Sequence, residues 1–353
     1  MSRSKHILFL ASLVALAACG SITTNDVDAG DTPDAQEGTP AARPPSPDAR
    51  PPECTGPLEC DDGDACTDDA CNAAGMCENT PVNETGSVSF NYSGGIETFT
   101  VPLCSTRLII EARGAQGGGG PTVEGGLGAR MRGEFADLQG QDLLILVGGR
   151  GVDASNDNSQ GGGSGGGGSF VATSDTQPLI VAGGGGGALY SLTGVGNEPR
   201  ELNGGPGQIT PEGQAGDGGG AGGTNGEGGQ TWPWTGWHSG TGGGGFFGNG
   251  DNPSNGSSGF GTPNQPGIGF VNGGLGGTAG SEGRPGGFGG GGAAGFTGGG
   301  GGGYSGGGSS TYGDQTPGAN THGGGGGGSY NSGSNQDNEP GVQAGDGQVI
   351  LTW

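Results

Sequence analysis

Glycine enters this chain in discrete blocks, at residues 117–120, 165–168, 183–187, 242–245, 289–292, 298–303 and 323–328. Residues with side chains separate the blocks. Strand-like runs frame most of the series, Asp142-Leu143-Leu144-Ile145-Leu146-Val147 before it and Gln348-Val349-Ile350-Leu351-Thr352-Trp353 after it. A flexible linker needs no such punctuation and has no reason to resume a β pattern at its far end. The arrangement predicts a folded glycine scaffold held in a β frame.

Composition narrows how such a scaffold can be ordered. The chain has 96 Gly and 22 Pro in 353 residues, a level usual for low-complexity sequence. No strict Gly-X-Y period runs through it, so a collagen helix is excluded. Hydrophobic residues are 28%, enough for a conventional core over only part of the length. Fixing a glycine backbone costs about 1–2 kcal/mol or more in entropy. Without Cβ atoms, however, extended threefold helices can lie side by side and exchange backbone hydrogen bonds in several directions. Blocks of four to six residues would make rods of roughly 12–19 Å at about 3.1 Å per residue.

At the N-terminus, Arg3 and Lys5 precede a short apolar stretch from Ile7 to Ala15, a pattern that predicts a signal peptide over residues 1–18. Leu16-Ala17-Ala18-Cys19 resembles the bacterial lipobox, which implies cleavage before Cys19 and acylation of its thiol and new amino terminus. Several acyl chains give stable anchoring, and Gly20 in place of Asp favours the outer membrane or cell surface. Cleavage removes the only lysine and one arginine. Nine arginines then face 35 acids, a formal charge of −26 that rules out nucleic acid as a partner. Residues 19–53, rich in Asp, Ala, Thr and Pro, are expected to form a disordered tether.

Cys54, Cys60, Cys66, Cys71 and Cys77 form a module over residues 54–85. Outside the cytoplasm such density predicts disulfides. With Cys104 there are six cysteines and 15 possible connectivities. Five lie in the module, so one of them is expected to reach Cys104. Asp61, Asp62 and Asp64 are candidate calcium ligands, although the EF-hand spacing is missing. The run resembles the Cys-Asp-Asp-Gly-x-x-Cys-Thr-x-Asp repeats of bacterial surface proteins.

After Gly86, alternating or β-branched runs begin at Val88, Ile96, Arg107, Ala129, Leu143, Phe170 and Leu179. They predict an all-β sandwich or jelly roll with Val349–Trp353 as its last strand. The β frame would span 86–182 plus 347–353, and the polyglycine insertion 183–346.

Several ordered motifs in this region carry a family resemblance. They are Leu108-Ile109-Ile110-Glu111-Ala112-Arg113-Gly114-Ala115-Gln116-Gly117-Gly118, Leu143-Leu144-Ile145-Leu146-Val147-Gly148-Gly149-Arg150-Gly151, and Pro178-Leu179-Ile180-Val181-Ala182 with its following glycines. The Trp-rich run from Trp232 to Trp237 and the block ending at Tyr304 continue the pattern. Residues 86–353 thus resemble the extracellular glycine-rich domain of the anaplastic lymphoma kinase and leukocyte tyrosine kinase receptors. The resemblance implies a tumour-necrosis-factor-like sandwich, a TNF-like jelly roll, with a bundle of polyglycine-II helices inserted. Phage tail-tip adhesins, with similar glycine bundles, recognise cell surfaces through the turns between rods.

The resemblance stops at the ectodomain, because His-Arg-Asp, Asp-Phe-Gly and a mature lysine are all lacking. Gly162-Gly163-Ser164-Gly165-Gly166 and the repeated Gly-x-Gly-x-x-Gly matches are compositional. No enzyme and no cofactor are expected. Trp232, Trp234 and Trp237 with Phe246 and Phe247 form a possible ligand platform or, alternatively, a buried plug against the glycine region. Together these readings predict a surface lipoprotein for recognition or adhesion, with a glycan or protein ligand; a structural coat or spacer is the alternative. Oligomeric state is left open.

Overall fold

The computed structural model describes residues 53–154, 160–191, 200–232, 239–252, 262–281, 283–311 and 322–353. The lipidation candidate Cys19 and the platform candidates Trp234 and Trp237 lie outside them. In chain order the strands are β1 Thr67–Cys71, β2 Cys77–Pro81, β3 Ser87–Asn91, β4 Ile96–Thr100, β5 Leu108–Arg113, β6 Gly128–Phe135, β7 Asp142–Leu146 and β8 Gln160–Gly162. They continue as β9 Ser169–Thr173, β10 Pro178–Ala182, β11 Leu189–Ser191, β12 Arg200–Leu202, β13 Tyr330–Asn331, β14 Glu339–Gln343 and β15 Gln348–Thr352. The fold is all-β. Among the described residues the only helical elements are 3-10 turns at Pro57–Glu59 and Phe270–Asn272.

Two five-stranded sheets make a sandwich-like frame, one ordered β14-β6-β5-β15-β3 and the other β13-β10-β9-β7-β4. Period-two alternation sends one face of each sheet into a shared core. Leu108, Ile110, Ala112, Met131, Val349 and Leu351 come from the first sheet, and Leu143, Ile145, Val171, Ile180 and Ala182 from the second. Apart from Ile109 and Ile350, their outward neighbours on the first sheet are polar: Arg130 lies 3.4 Å from Glu111 and 2.9 Å from Asp337. The second sheet is apolar on both faces. Leu146, Phe170, Ala172 and Val181 turn away from the shared core and pack against Phe246, Phe270 and Phe288 of the glycine-rich region.

The last strand is internal. β15 pairs antiparallel with both β3 and β5, and Gly86 and Trp353 exchange backbone hydrogen bonds of 2.9 and 3.0 Å beyond its end. Trp353 also packs on Phe99 at 5.3 Å between ring centroids. The frame is re-entered earlier than residue 347, because β13 pairs with β10 and β14 with β6.

The glycine segments between these strands have a regular hydrogen-bond order. Gly163 and Gly166 donate to Ala188 and Gly185, and Ser164 and Gly167 to Val152 and Gly149. Gly165 and Gly168 donate to Gly292 and Gly289. Successive N–H groups thus leave in three directions, and each direction recurs every third residue. Carbonyls of the same segment accept from others: Gly163 and Gly166 from Gly299 and Gly302, Ser164 and Gly167 from Gly118 and Ala115. Residues 298–303 repeat the scheme, with Gly300 and Gly303 donating to Thr241 and Gly244. Neighbouring backbones come so close that a Cβ on Gly165 would overlap the Gly300 carbonyl and sit 3.0 Å from the Gly292 nitrogen. Small hydroxyl residues close gaps in this network: buried Ser329 accepts from Gly183 N–H at 2.9 Å and buried Ser310 from Gly298 N–H at 2.8 Å.

Two expectations follow. Leu351 is fully buried, so Leu351→Ala should cost about 2–5 kcal/mol in denaturant melts, and deleting Gln348–Thr352 with Trp353 should abolish cooperative unfolding. Gly165→Ala should lower the melting temperature strongly. Gly95→Ala should leave it unchanged or slightly raised, because a methyl group on Gly95 would meet nothing within 4 Å and its φ is not positive.

Candidate functional site

The cysteine module is built on disulfides. Cys54 pairs with Cys71, Cys60 with Cys77 and Cys66 with Cys104, at Cα separations of 5.9, 5.2 and 5.2 Å. The third bond joins the module to the β frame. Among the described residues the one His/Cys/Asp/Glu group compact enough for a metal is Cys54, Cys60 and Cys77, whose sulfurs are all oxidised.

The three aspartates beside it each accept a hydrogen bond from the backbone of their own loop. Asp61 accepts from Gly63 N–H, Asp62 from Asp64 N–H and Asp64 from Cys66 N–H, each at 2.9 Å. Asp62 also accepts from the Thr67 hydroxyl at 3.0 Å and the Asn79 amide at 2.8 Å. The Asp64 N–H, then the Thr67 hydroxyl, hold its carboxyl below the usual range. A shallow groove of about 520 Å³ beside Cys54, Pro57, Cys71 and Asn72 contains no titratable side chain apart from those bonded cysteines.

The aromatic candidates separate by position. Phe246 is fully buried, stacked on Phe270 at 4.9 Å and tilted against Phe170 at 6.2 Å. It is a plug on the second sheet and presents no face to a ligand. Trp232 is half-buried, its backbone N–H donating to Ser309 Oγ at 3.1 Å.

Phe247, the next residue, is 43% exposed, and its ring stands edge-on to Phe246 at 4.9 Å. The same alternation occurs at the adjoining turn, where Phe270 is buried and Val271 exposed. Val271 N–H donates to the Phe246 carbonyl at 3.1 Å, which places the two pairs side by side. Asn249 Oδ1 accepts from Gly269 N–H and Asn272 Nδ2, both at 2.9 Å. The result is a small ridge of Phe247 and Val271 flanked by two amide side chains. Sequence reading missed Val271, Asn249 and Asn272, because no periodic pattern in this region distinguishes an inward residue from an outward one.

One half-buried histidine stands apart from the ridge. His322 Nε2 lies 2.8 Å from Gln214 Nε2, and Gln214 Oε1 accepts from Gly326 N–H. The Gln214 amide therefore donates, His322 Nε2 accepts, and the ring proton sits on Nδ1, which is buried with no partner among the described residues. Burial lowers the His322 pKa below its ordinary 6.5. The neutral ring is the form the fold prefers, so its contribution is complete above about pH 6.5 and declines as pH falls and the unfolded chain takes up the proton. His322→Gln should flatten the stability profile on the acid side of pH 6.5, as read from urea midpoints at successive pH values.

Residues 59–82, which hold four of the module's cysteines, match the model of a Dictyostelium (slime mold) repeat. The match spans both strands β1 and β2. No curated protein matches the chain.

Proposed function

We propose that this protein is a non-enzymatic lipoprotein of the bacterial outer membrane or cell surface, which displays a rigid glycine scaffold for recognition or adhesion. In this reading Cys19 carries the lipid and residues 20–53 form the tether. The glycine-rich domain is of the receptor-ectodomain type: a tumour-necrosis-factor-like jelly roll whose insertion is a bundle of polyglycine-II rods.

The observation that carries the reading is the threefold hydrogen-bond order around residues 163–168. A threefold rod sends its N–H groups outward at successive 120° steps, so every third residue meets the same neighbour. A network so dense leaves its interior no room for a substrate. Whatever the domain recognises must then meet its surface. The exposed ring of Phe247 favours recognition over a purely structural coat, in which every aromatic would be buried.

Two experiments test the reading. Labelled palmitate should enter the wild-type chain and fail to enter Cys19→Ala. Wild-type protein should bind whole cells or arrayed glycans, and Phe247→Ala should bind about tenfold more weakly, a loss of ~1.4 kcal/mol, at a temperature where circular dichroism shows both to be folded. Equal labelling would remove the lipid anchor, and equal binding would remove the ridge.

A further inference from the structure

The four edges of the two large sheets are not equally guarded. Exposed sheet edges invite further strands, and proteins blunt them with short strands, proline, bulges or inward charges. β13 is two residues long. β14 contains Pro340, a register shift and Gly341 at φ +58°, and its Glu339 is bound by Arg130 at 3.4 Å. β4 turns Glu97 toward the same side as Phe99, placing a carboxylate at the rim of the shared core. β3, Ser87-Val88-Ser89-Phe90-Asn91, has none of these devices: it is uncharged, free of proline, and in unbroken register with β15.

The hydrogen-bond phase of β3 is fixed by the exchange between Gly86 and Trp353. Antiparallel pairs alternate between bonded and non-bonded, so Val88 and Phe90 point their backbone groups at β15. Ser87, Ser89 and Asn91 point theirs away, where no described residue bonds them.

We propose that β3 is a self-association edge, pairing antiparallel with β3 of a second copy of this chain about a twofold axis at Ser89. This register sets Ser89 opposite its symmetry mate and Ser87 opposite Asn91, so that outward-pointing backbone groups meet outward-pointing ones. Val88 then faces Phe90 of the other copy. Both are only partly buried against the shared core, and the pairing covers their remaining surface while joining two sheets into one. No charged side chains oppose one another along the strand. What resists the pairing is the overall acidity of the molecule, a long-range repulsion that salt screens.

The test is sedimentation equilibrium of the chain carrying Cys19→Ala, across a hundredfold range of protein concentration at low and high salt. We expect a monomer–dimer equilibrium that shifts toward dimer as salt rises. Ser89→Pro removes only an outward-pointing N–H and should weaken dimerisation tenfold or more with the melting temperature nearly unchanged. Ser89→Lys, which opposes two cations at the axis, should weaken it similarly and leave the monomer folded. A wild-type chain that stays monomeric throughout overturns the proposal. So does a dimer that both folded variants form as tightly as wild type.

Discussion

A buried backbone amide has to find a partner, and in the glycine segments few side chains, serine hydroxyls among them, are there to supply one besides the backbone itself. Leaving such a group unbonded costs about 1–3 kcal/mol, so a set of packed glycine segments stands or falls as a network. Ser164 illustrates the dependence: its N–H donates to Val152, its carbonyl accepts from Gly118, and its hydroxyl accepts from Val152 N–H at 2.7 Å. Removal of any one segment would orphan groups on several others. The same closeness explains why the segments are glycine at all, since even a methyl group would press into a neighbouring carbonyl at Gly165, Gly167 or Gly302.

The network needs something to fix where it begins, and the second sheet provides that. Glycine segments emerge directly from strand ends: residues 183–188 continue β10, and residues 163–168 run into β9. Apolar side chains on the far face of this sheet meet Phe246, Phe270 and Phe288, so the sheet is shared between a conventional core and an aromatic layer. Burial of those rings supplies the non-directional stabilisation that a glycine backbone lacks. The internal position of β15 then makes the chain's end part of the frame from which the glycine segments depart.

Much of the frame was legible in the sequence because its strands obey strong alternation. β3, β4, β5, β6, β7, β9, β10 and β15 begin within a residue or so of the runs that announced them. β14 was not legible, since Pro340 and Gly341 argue against a strand and only pairing with β6 makes it one. Glycine and short length likewise hid β8, β11, β12 and β13. Cysteine spacing gave the number of disulfides without their partners, which depend on how the β1–β2 hairpin folds back. At the aromatic cluster, type was legible and direction was not: Phe246 and Phe247 are adjacent and chemically identical, and only packing on Phe270 separates plug from ridge. The hydroxyls of Ser310 and Ser329 sit among glycines where composition alone suggests a linker.

Amide hydrogen exchange is the most direct test of the account, because it reads the backbone network itself. Glycine amides at residues 163–168 and 298–303 are predicted to exchange as slowly as those of Leu143–Leu146 in β7, and to lose protection together with them as denaturant rises. Exchange of those glycines at random-coil rates while β7 stays protected would contradict it, leaving a β sandwich with a loose glycine insertion.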